Sequence, residues 1–427
     1  MKGERVGAVE ITGIAAGGAG VGRLPDGAAV FVHRTAPGDT VELRVTDRKR
    51  RWARGELLRV LEPGPGRRIA PCPHYSRCGG CTLEHLEYSA QLRAKAAIVA
   101  SALRRIGRLD VEVPEVVASP GEFQYRNRVS FTLARLGRGR VVAGFHEIDR
   151  QDRIVDITSA CLLPEAPIAE VWGRLRAAWG EDASFLPSGR TLRLTLRGTA
   201  RNEVALVVEG GYSRGRPDEL LDRVDGLVAI WHRPPGGALD LVAGRESVVE
   251  TWADEEVELS GAVFLQVNRE AAALLEAHVL ELAGDVAGKR VVDAYCGIGL
   301  HARRLARRGA EVVGIELDDL AVRAARQAGI EGARFEAGRV EELLPAALPA
   351  DLVIVNPPRG GLDPAVPEAL LASSPPRILY ISCDPATLAR DLARLTPRYR
   401  LASVRCFDLF PQTSHVETVA ELQCDTM

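Results

Sequence analysis

Beyond residue 262 the chain alternates apolar strands with amphipathic helices, and this alternation constrains the fold more than any other feature. Strands are expected over 290–294, 311–315, 333–336, 352–355 and 378–382, with helices over 269–283, 300–308 and about 318–329. The run 264–268 leads into the first helix, and 398–407 and 416–421 can supply two closing strands. Such an order builds a mostly parallel sheet covered by helices. In open α/β sheets ligands bind beyond the carboxyl ends of the strands. Four of these ends carry chemistry. Asp293-Ala-Tyr295-Cys296-Gly297-Ile-Gly299 extends from the first strand, Glu316 closes the second, and Asn356-Pro357-Pro358-Arg359 follows the fourth. The fifth runs into Ser382-Cys383-Asp384-Pro385, where the chain turns and restarts as a helix.

A glycine loop lets backbone approach a ligand closely, and a strand-end acid can accept both ribose hydroxyls. The three-glycine dinucleotide fingerprint is missing, so no pyrophosphate cradle is offered. Asp293 suits a cationic amino-acid tail better than a phosphate. The glycine loop, Glu316 and the Asn-Pro-Pro motif together point to S-adenosylmethionine; the competing reading is a nucleotide-binding fold without methyl transfer. Cys383 is well placed for a nucleophile, although a lone cysteine is ordinarily a small apolar packing residue.

The 427 residues exceed a single core, so two to three domains are expected. No apolar run is long enough for a bilayer, and the first residues lack a signal-peptide core, which makes a cytoplasmic protein the expectation. Net charge is −2, but nine Lys/Arg face three acids between Arg44 and Arg68. Such a run is usually a solvated face; on a β-rich module it can track phosphates. Residues 4–62 read as short strands with glycine turns. Four strands are visible and a fifth could hide around Gly17–Gly22, which suggests a small barrel of OB type.

After the linker Pro63-Gly64-Pro65-Gly66, Cys72, Cys78 and Cys81 fall within ten residues, and Cys161 is the leading fourth ligand. Four thiolates suit an iron–sulfur cluster or tetrahedral zinc; the single Cys-x2-Cys hook favours iron–sulfur. Residues 84–106 form an amphipathic helix, and 113–262 are strand-rich with a helix near 166–179. Tyr125-Arg126-Asn127-Arg128 is either a strand entrance or a surface offered to a nucleotide.

At this point the chain resembles the RNA uracil-5 methyltransferase family, in the branch that carries a TRAM domain and an iron–sulfur cluster. Its most specific marks are Ser382-Cys383-Asp384-Pro385-Ala386-Thr387-Leu388-Ala389-Arg390-Asp391 and Phe407-Asp408-Leu409-Phe410-Pro411-Gln412-Thr413-Ser414-His415-Val416-Glu417. The resemblance implies a TRAM barrel over 1–62, a central β-rich domain over 63–262 and a Rossmann-like class I methyltransferase domain over 263–427, with the helix near 85–106 docked on the last. It implies a 4Fe–4S cluster on Cys72, Cys78, Cys81 and Cys161. Contacts to S-adenosylmethionine fall to Gln266, Tyr295, Gly297, Glu316 and Asn356. Asn356, Leu300 and Arg339 depart from residues common in the family. Cys383 becomes the nucleophile toward uracil carbon 6 and Glu417 the base that removes the carbon 5 proton. The implied partner is RNA, 23S rRNA ahead of tRNA, for a monomeric enzyme away from membranes. A non-catalytic RNA-binding assembly factor is the reading from another class.

Overall fold

The computed structural model describes residues 3–252, 255–260 and 265–425, so the expected entry at Phe264 and the domain boundary near 262 lie outside the described residues. The chain divides into two compact units: the described parts of Met1–Ile69, His85–Pro120 and Glu270–Met427, and Ala70–Glu84 with Gly121–Arg269.

The first unit opens with β1 (Arg5–Ile14), β2 (Gly20–Arg23), β3 (Ala29–Val32), β4 (Thr40–Arg48) and β5 (Trp52–Glu62). They close into a barrel in the order β1-β2-β3-β5-β4. Alternate side chains point inward, so Val30, Val32, Val41, Leu43 and Val45 fill the interior with Val9 and Ile11. The fifth strand that the sequence left open is β2. Glycine is required there because strands approach so closely. A Cβ on Gly20 would lie 2.0 Å from Thr35 Oγ1, and one on Gly22 would lie 2.7 Å from the Glu10 carbonyl. The arginine run occupies the turn between β4 and β5.

Helix α1 (Tyr88–Ala102) follows and ends in a π-helical turn, Leu103–Gly107, so the α-helix itself is shorter than the sequence pattern suggests. Leu92, Val99 and Leu103 share one core with Leu388, Leu392 and the strands described below.

The second unit carries β6 (Arg128–Gly137), β7 (Arg140–His146), β8 (Ile154–Asp156), α2 (Ala166–Ala178), β9 (Thr191–Gly198), β10 (Val204–Glu209), α3 (Pro217–Arg223), β11 (Leu227–Arg233), β12 (Asp240–Gly244), β13 (Ser247–Trp252) and β14 (Glu255–Ser260). Seven strands form a sheet in the order β12-β11-β10-β9-β6-β7-β8, and β13 pairs with β14 alone. Trp172 of α2 is its largest fully buried side chain, and its indole donates to the Ile157 carbonyl at 2.9 Å.

The first unit resumes with α4 (Arg269–Ala283), β15 (Arg290–Ala294), α5 (Leu300–Arg307), β16 (Glu311–Glu316), α6 (Asp319–Gln327), β17 (Ala333–Ala337), α7 (Val340–Ala347), β18 (Leu352–Val355), α8 (Ala365–Ser373), β19 (Arg377–Ser382), α9 (Pro385–Leu395), β20 (Tyr399–Phe407) and β21 (Glu417–Cys424). The sheet order is β17-β16-β15-β18-β19-β21-β20. The first five strands are parallel, and β21 runs antiparallel to both of its neighbours. Strand order reverses between β15 and β18, which opens a crevice at their carboxyl ends.

Candidate active site

Two groups of residues meet at the carboxyl ends of these strands. The first surrounds β15. Asp293 is fully buried; its Oδ2 accepts from the Ala302 amide at 3.1 Å, whereas its Oδ1 has no hydrogen-bond partner. Burial holds the carboxyl up at about 6. A buried carboxylate oxygen without a donor is costly, and a cationic ligand would satisfy it. The loop beyond it enters the left-handed region at Tyr295 (φ +63°), Gly297 (φ +56°) and Gly299 (φ +75°), a conformation strained only at Tyr295. A Cβ on Gly299 would fall 2.4 Å from the Phe335 ring, so only glycine fits. Glu316 at the end of β16 accepts from the Gly297 amide at 3.0 Å and the Asp318 amide at 2.8 Å. The Asn356 amide donates to the Ala294 carbonyl at 3.2 Å, tying the fourth strand end to the first. An orphaned acid, an open glycine loop and a strand-end acid fit an S-adenosylmethionine tail and ribose.

The second group surrounds β19. Ser382 pairs with Thr418 as the last step of the antiparallel ladder, so Cys383 lies just beyond the end of β19 and Glu417 at the start of β21. The two are near enough for the Glu417 charge to act on the Cys383 thiol. Cys383 is half-buried and Glu417 buried. Burial raises the Cys383 thiol, Glu417 raises it further, and the Arg359 guanidinium pulls it down. Burial lifts the Glu417 carboxyl to about 7, again opposed by Arg359. Arg359 also lies 3.4 Å from His415 Nε2. A thiol, a carboxyl poised near neutrality and a cation therefore share one site.

The turn that carries Cys383 is rigid for local reasons. Asp384 caps α9 by accepting from the Ala386 and Thr387 amides at 2.9 Å each, and Pro385 starts the helix. Asp391, two turns further, is fully buried and accepts from the Leu362 amide at 2.8 Å, the Tyr380 hydroxyl at 2.9 Å and Arg390 Nε at 2.9 Å. It thereby ties the loop after Asn356 to β19 and α9. That loop passes so close that a Cβ on Gly361 would sit 2.4 Å from Asp391 Oδ2. Asp391 stood in the sequence motif beside its local partners Arg390 and Arg394, but its bonds to Leu362 and Tyr380 are not local and could not be read there.

Cys296 belongs to the cofactor group. Burial pushes its thiol well above the ordinary value, and Asp293 and Glu316 push it further. Leu300 begins α5, and Arg339 pairs with Glu341 through a 2.7 Å contact near enough to Tyr295 for both charges to act on its hydroxyl.

Gln266 lies in the second unit, where its carbonyl accepts from Asn127 Nδ2 at 3.0 Å. The same unit draws Cys72, Cys78, Cys81 and Cys161 to the lining of one cavity, with Tyr75, Glu84, Phe123 and Phe145. Burial pushes the Cys81 thiol well up and the Cys161 thiol to about 12, while Arg126 pulls both down. Thus the tetrad Tyr125–Arg128 is a strand entrance whose arginine faces this cavity. Among the described residues no group of three or more His, Cys, Asp or Glu is arranged to hold a metal ion as it stands. The convergence of four thiols beside the half-buried Arg126 guanidinium fits an anionic thiolate-bound centre.

The sheet order and glycine loop define a class I methyltransferase, joined here to a five-stranded barrel. Residues 336–424 match the family model described as tRNA (Uracil-5-)-methyltransferase, 3–58 match the TRAM domain and 291–373 a methyltransferase domain. An uncharacterized RNA methyltransferase of Gloeobacter violaceus is 38% identical over 99% of this chain and 97% of its own. One from Thermosynechococcus vestitus is 36% identical over 95% of each. The crystal structure of Pyrococcus abyssi tRNA (uracil-54, C5)-methyltransferase in complex with S-adenosyl-L-homocysteine aligns with a TM-score of 0.75 and 29% identity, covering 98% of this chain and 100% of that one. The chain belongs to the TRAM-containing RNA uracil-5 methyltransferases, enzymes that use S-adenosylmethionine to methylate RNA. No described helix is long and apolar enough to cross a membrane.

Proposed function

We propose that this enzyme forms 5-methyluridine in 23S rRNA through covalent catalysis by Cys383, with Glu417 as the base. The observation that carries this reading is that Cys383 and Glu417 flank the last pair of the β19–β21 ladder, Ser382 with Thr418, close enough for the Glu417 charge to act on the Cys383 thiol. Uracil carbon 5 is a poor nucleophile. Addition of the Cys383 thiolate to carbon 6 moves the ring electron pair toward carbon 5 and oxygen 4, as an enolate. Bound S-adenosylmethionine supplies the methyl group that carbon 5 takes up. Glu417 then removes the carbon 5 proton, the C–H pair re-forms the ring double bond, and Cys383 leaves as thiolate. Arg359 favours both anions by its charge. Tyr295, Gly297, Glu316 and Asn356 would hold the cofactor, with Asp293 toward its amino-acid tail and Gln266 contributing as the family resemblance implies. A uridine in folded RNA must be unstacked to reach this site.

Likeness to the archaeal enzyme along the whole chain favours tRNA as a second target, because its coverage includes the barrel. Nucleoside mapping of both RNAs from a strain lacking the gene tests the reading. Loss of one 5-methyluridine from 23S rRNA is expected; loss from tRNA alone would move the target, and two unchanged maps would overturn it.

We infer that Cys72, Cys78, Cys81 and Cys161 would hold a 4Fe–4S cluster rather than zinc. Ligation by four thiolates, far along the chain from Cys383, supports a structural or RNA-shaping role. Protein purified without oxygen is expected to absorb in the visible range and to contain about four iron and four acid-labile sulfide per chain. Stoichiometric zinc without iron would overturn the assignment.

A further inference from the structure

The loop from Asp408 to His415 leads directly into Glu417, yet what holds it comes from distant parts of the chain. Asp408, Leu409 and Gln412 are fully buried, and Thr413 and Ser414 nearly so. A buried loop must satisfy its polar groups with specific partners. Lys95 of α1 bonds Asp408 Oδ1 at 2.5 Å and the Phe410 carbonyl at 3.0 Å. Ser414 Oγ donates to the Ala16 carbonyl, in the barrel hairpin between β1 and β2, at 2.6 Å.

Gln412 is the unusual member. Its φ of +69° is a conformation that side chains with a Cβ adopt at a cost. Its amide donates to Gln91 Oε1 at 2.9 Å. Its own Oε1 accepts from Gln91 Nε2 at 2.9 Å and from Arg68 Nη2 at 3.0 Å. Gln91 Nε2 is anchored in turn on the Leu86 carbonyl at 3.0 Å. A strained residue five positions before the base is thus fixed by three bonds to segments more than three hundred residues earlier.

We propose that Gln412 is a positioning residue for the release step: clamped by Gln91 and Arg68, it sets where β21 begins and so holds Glu417 beside Cys383. This rests on Glu417 being the base. In the absence of the clamp the loop relaxes from its strained turn, and Glu417 loses its alignment with the carbon 5 proton. Addition of Cys383 to carbon 6 depends on β19 and α9, not on this loop, and is untouched.

The test is a single-turnover assay with total RNA from a strain lacking the gene and methyl-labelled S-adenosylmethionine. Gln412→Leu keeps the volume and removes the acceptor, whereas Gln412→Glu keeps the acceptor. With Gln412→Leu, labelled protein–RNA adduct is expected to accumulate and product release to slow by about tenfold, the effect of about one net hydrogen bond. Affinity for S-adenosylhomocysteine should change less than about twofold, and Gln412→Glu should restore release. Gln412→Gly accepts the positive φ without strain, so it must slow release too even if the leucine variant fails to fold. Release at the wild-type rate in the foldable variants would overturn the proposal, as would equal loss of cofactor binding, adduct formation and release. Glu417→Gln in the same assay separates the two ideas. If it traps no adduct, the base assignment fails; if it traps adduct while the Gln412 variants release normally, only the positioning role fails.

Discussion

Cys383→Ala is expected to lower methyl transfer to below about 10⁻⁴ of the wild-type rate and to remove every denaturation-resistant protein–RNA adduct. Alanine cannot add to uracil carbon 6, so carbon 5 never gains the electron density it needs. Folding should survive, because the half-buried side chain loses one sulfur while the Asp384 cap and the Asp391 bonds remain. Binding of S-adenosylhomocysteine should therefore be close to normal. Cys296→Ala is the control. That thiol is pushed well up by burial and by Asp293 and Glu316, so its loss leaves adduct formation in place. Labelled methyl incorporation and gel retention of RNA on the protein read both variants. Turnover by Cys383→Ala at more than a few percent of the wild-type rate, or loss of adduct with Cys296→Ala, would sink the assignment.

The catalytic sheet was legible because its strands are nearly continuous apolar runs, such as Leu352–Val355, and each parallel strand is followed by a helical pattern. Helices α7 and α8 escaped because prolines fall inside them, Pro345 and Pro367. Strand β2 escaped because two of its four residues are glycines, which propensity assigns to turns. In the second unit β12 and α3 are short and lie among Gly and Pro. The site was legible in a different way. Cys383 alone reads as packing and Glu417 alone as an exposed strand carboxylate; the motif around each raised them to candidates. What the motif could not convey is that Glu417 is buried with its proton held to about 7. Nor could it convey the clamp on Gln412. One signal was present: Gln91 and Lys95 are four apart on α1 and share its buried face. Polar residues at helical spacing on a buried face indicate partners elsewhere in the chain.

Glu417→Gln is expected to separate the two halves of the reaction. The glutamine is nearly isosteric and uncharged, so Cys383 still adds and the methyl group is still taken up, but the carbon 5 proton has no acceptor. Methylated adduct should accumulate to about one per enzyme, with release slowed by about 10²–10⁴-fold. In the wild type the same group gives a pH signature. A base acts only when deprotonated, so release should fall about tenfold per pH unit below about 7 and level off above it. Stability carries the opposite sign. The carboxyl binds its proton up to about pH 7 when folded, against an ordinary 4.5 when unfolded. Between those values the folded state holds the extra proton, so each rise in pH costs stability, reaching about 3 kcal/mol above pH 7. Glutamine has no such cost. The variant should therefore be more stable than the wild type at pH 8 by up to about 3 kcal/mol, and equal to it near pH 4, by denaturant unfolding. A variant that is dead, traps no adduct and gains no stability at pH 8 would show that Glu417 is neither the base nor a strained carboxylate. A variant that traps adduct and gains stability only at high pH ties both effects to one buried, deprotonated carboxylate, held against its own preference because the release step needs it charged.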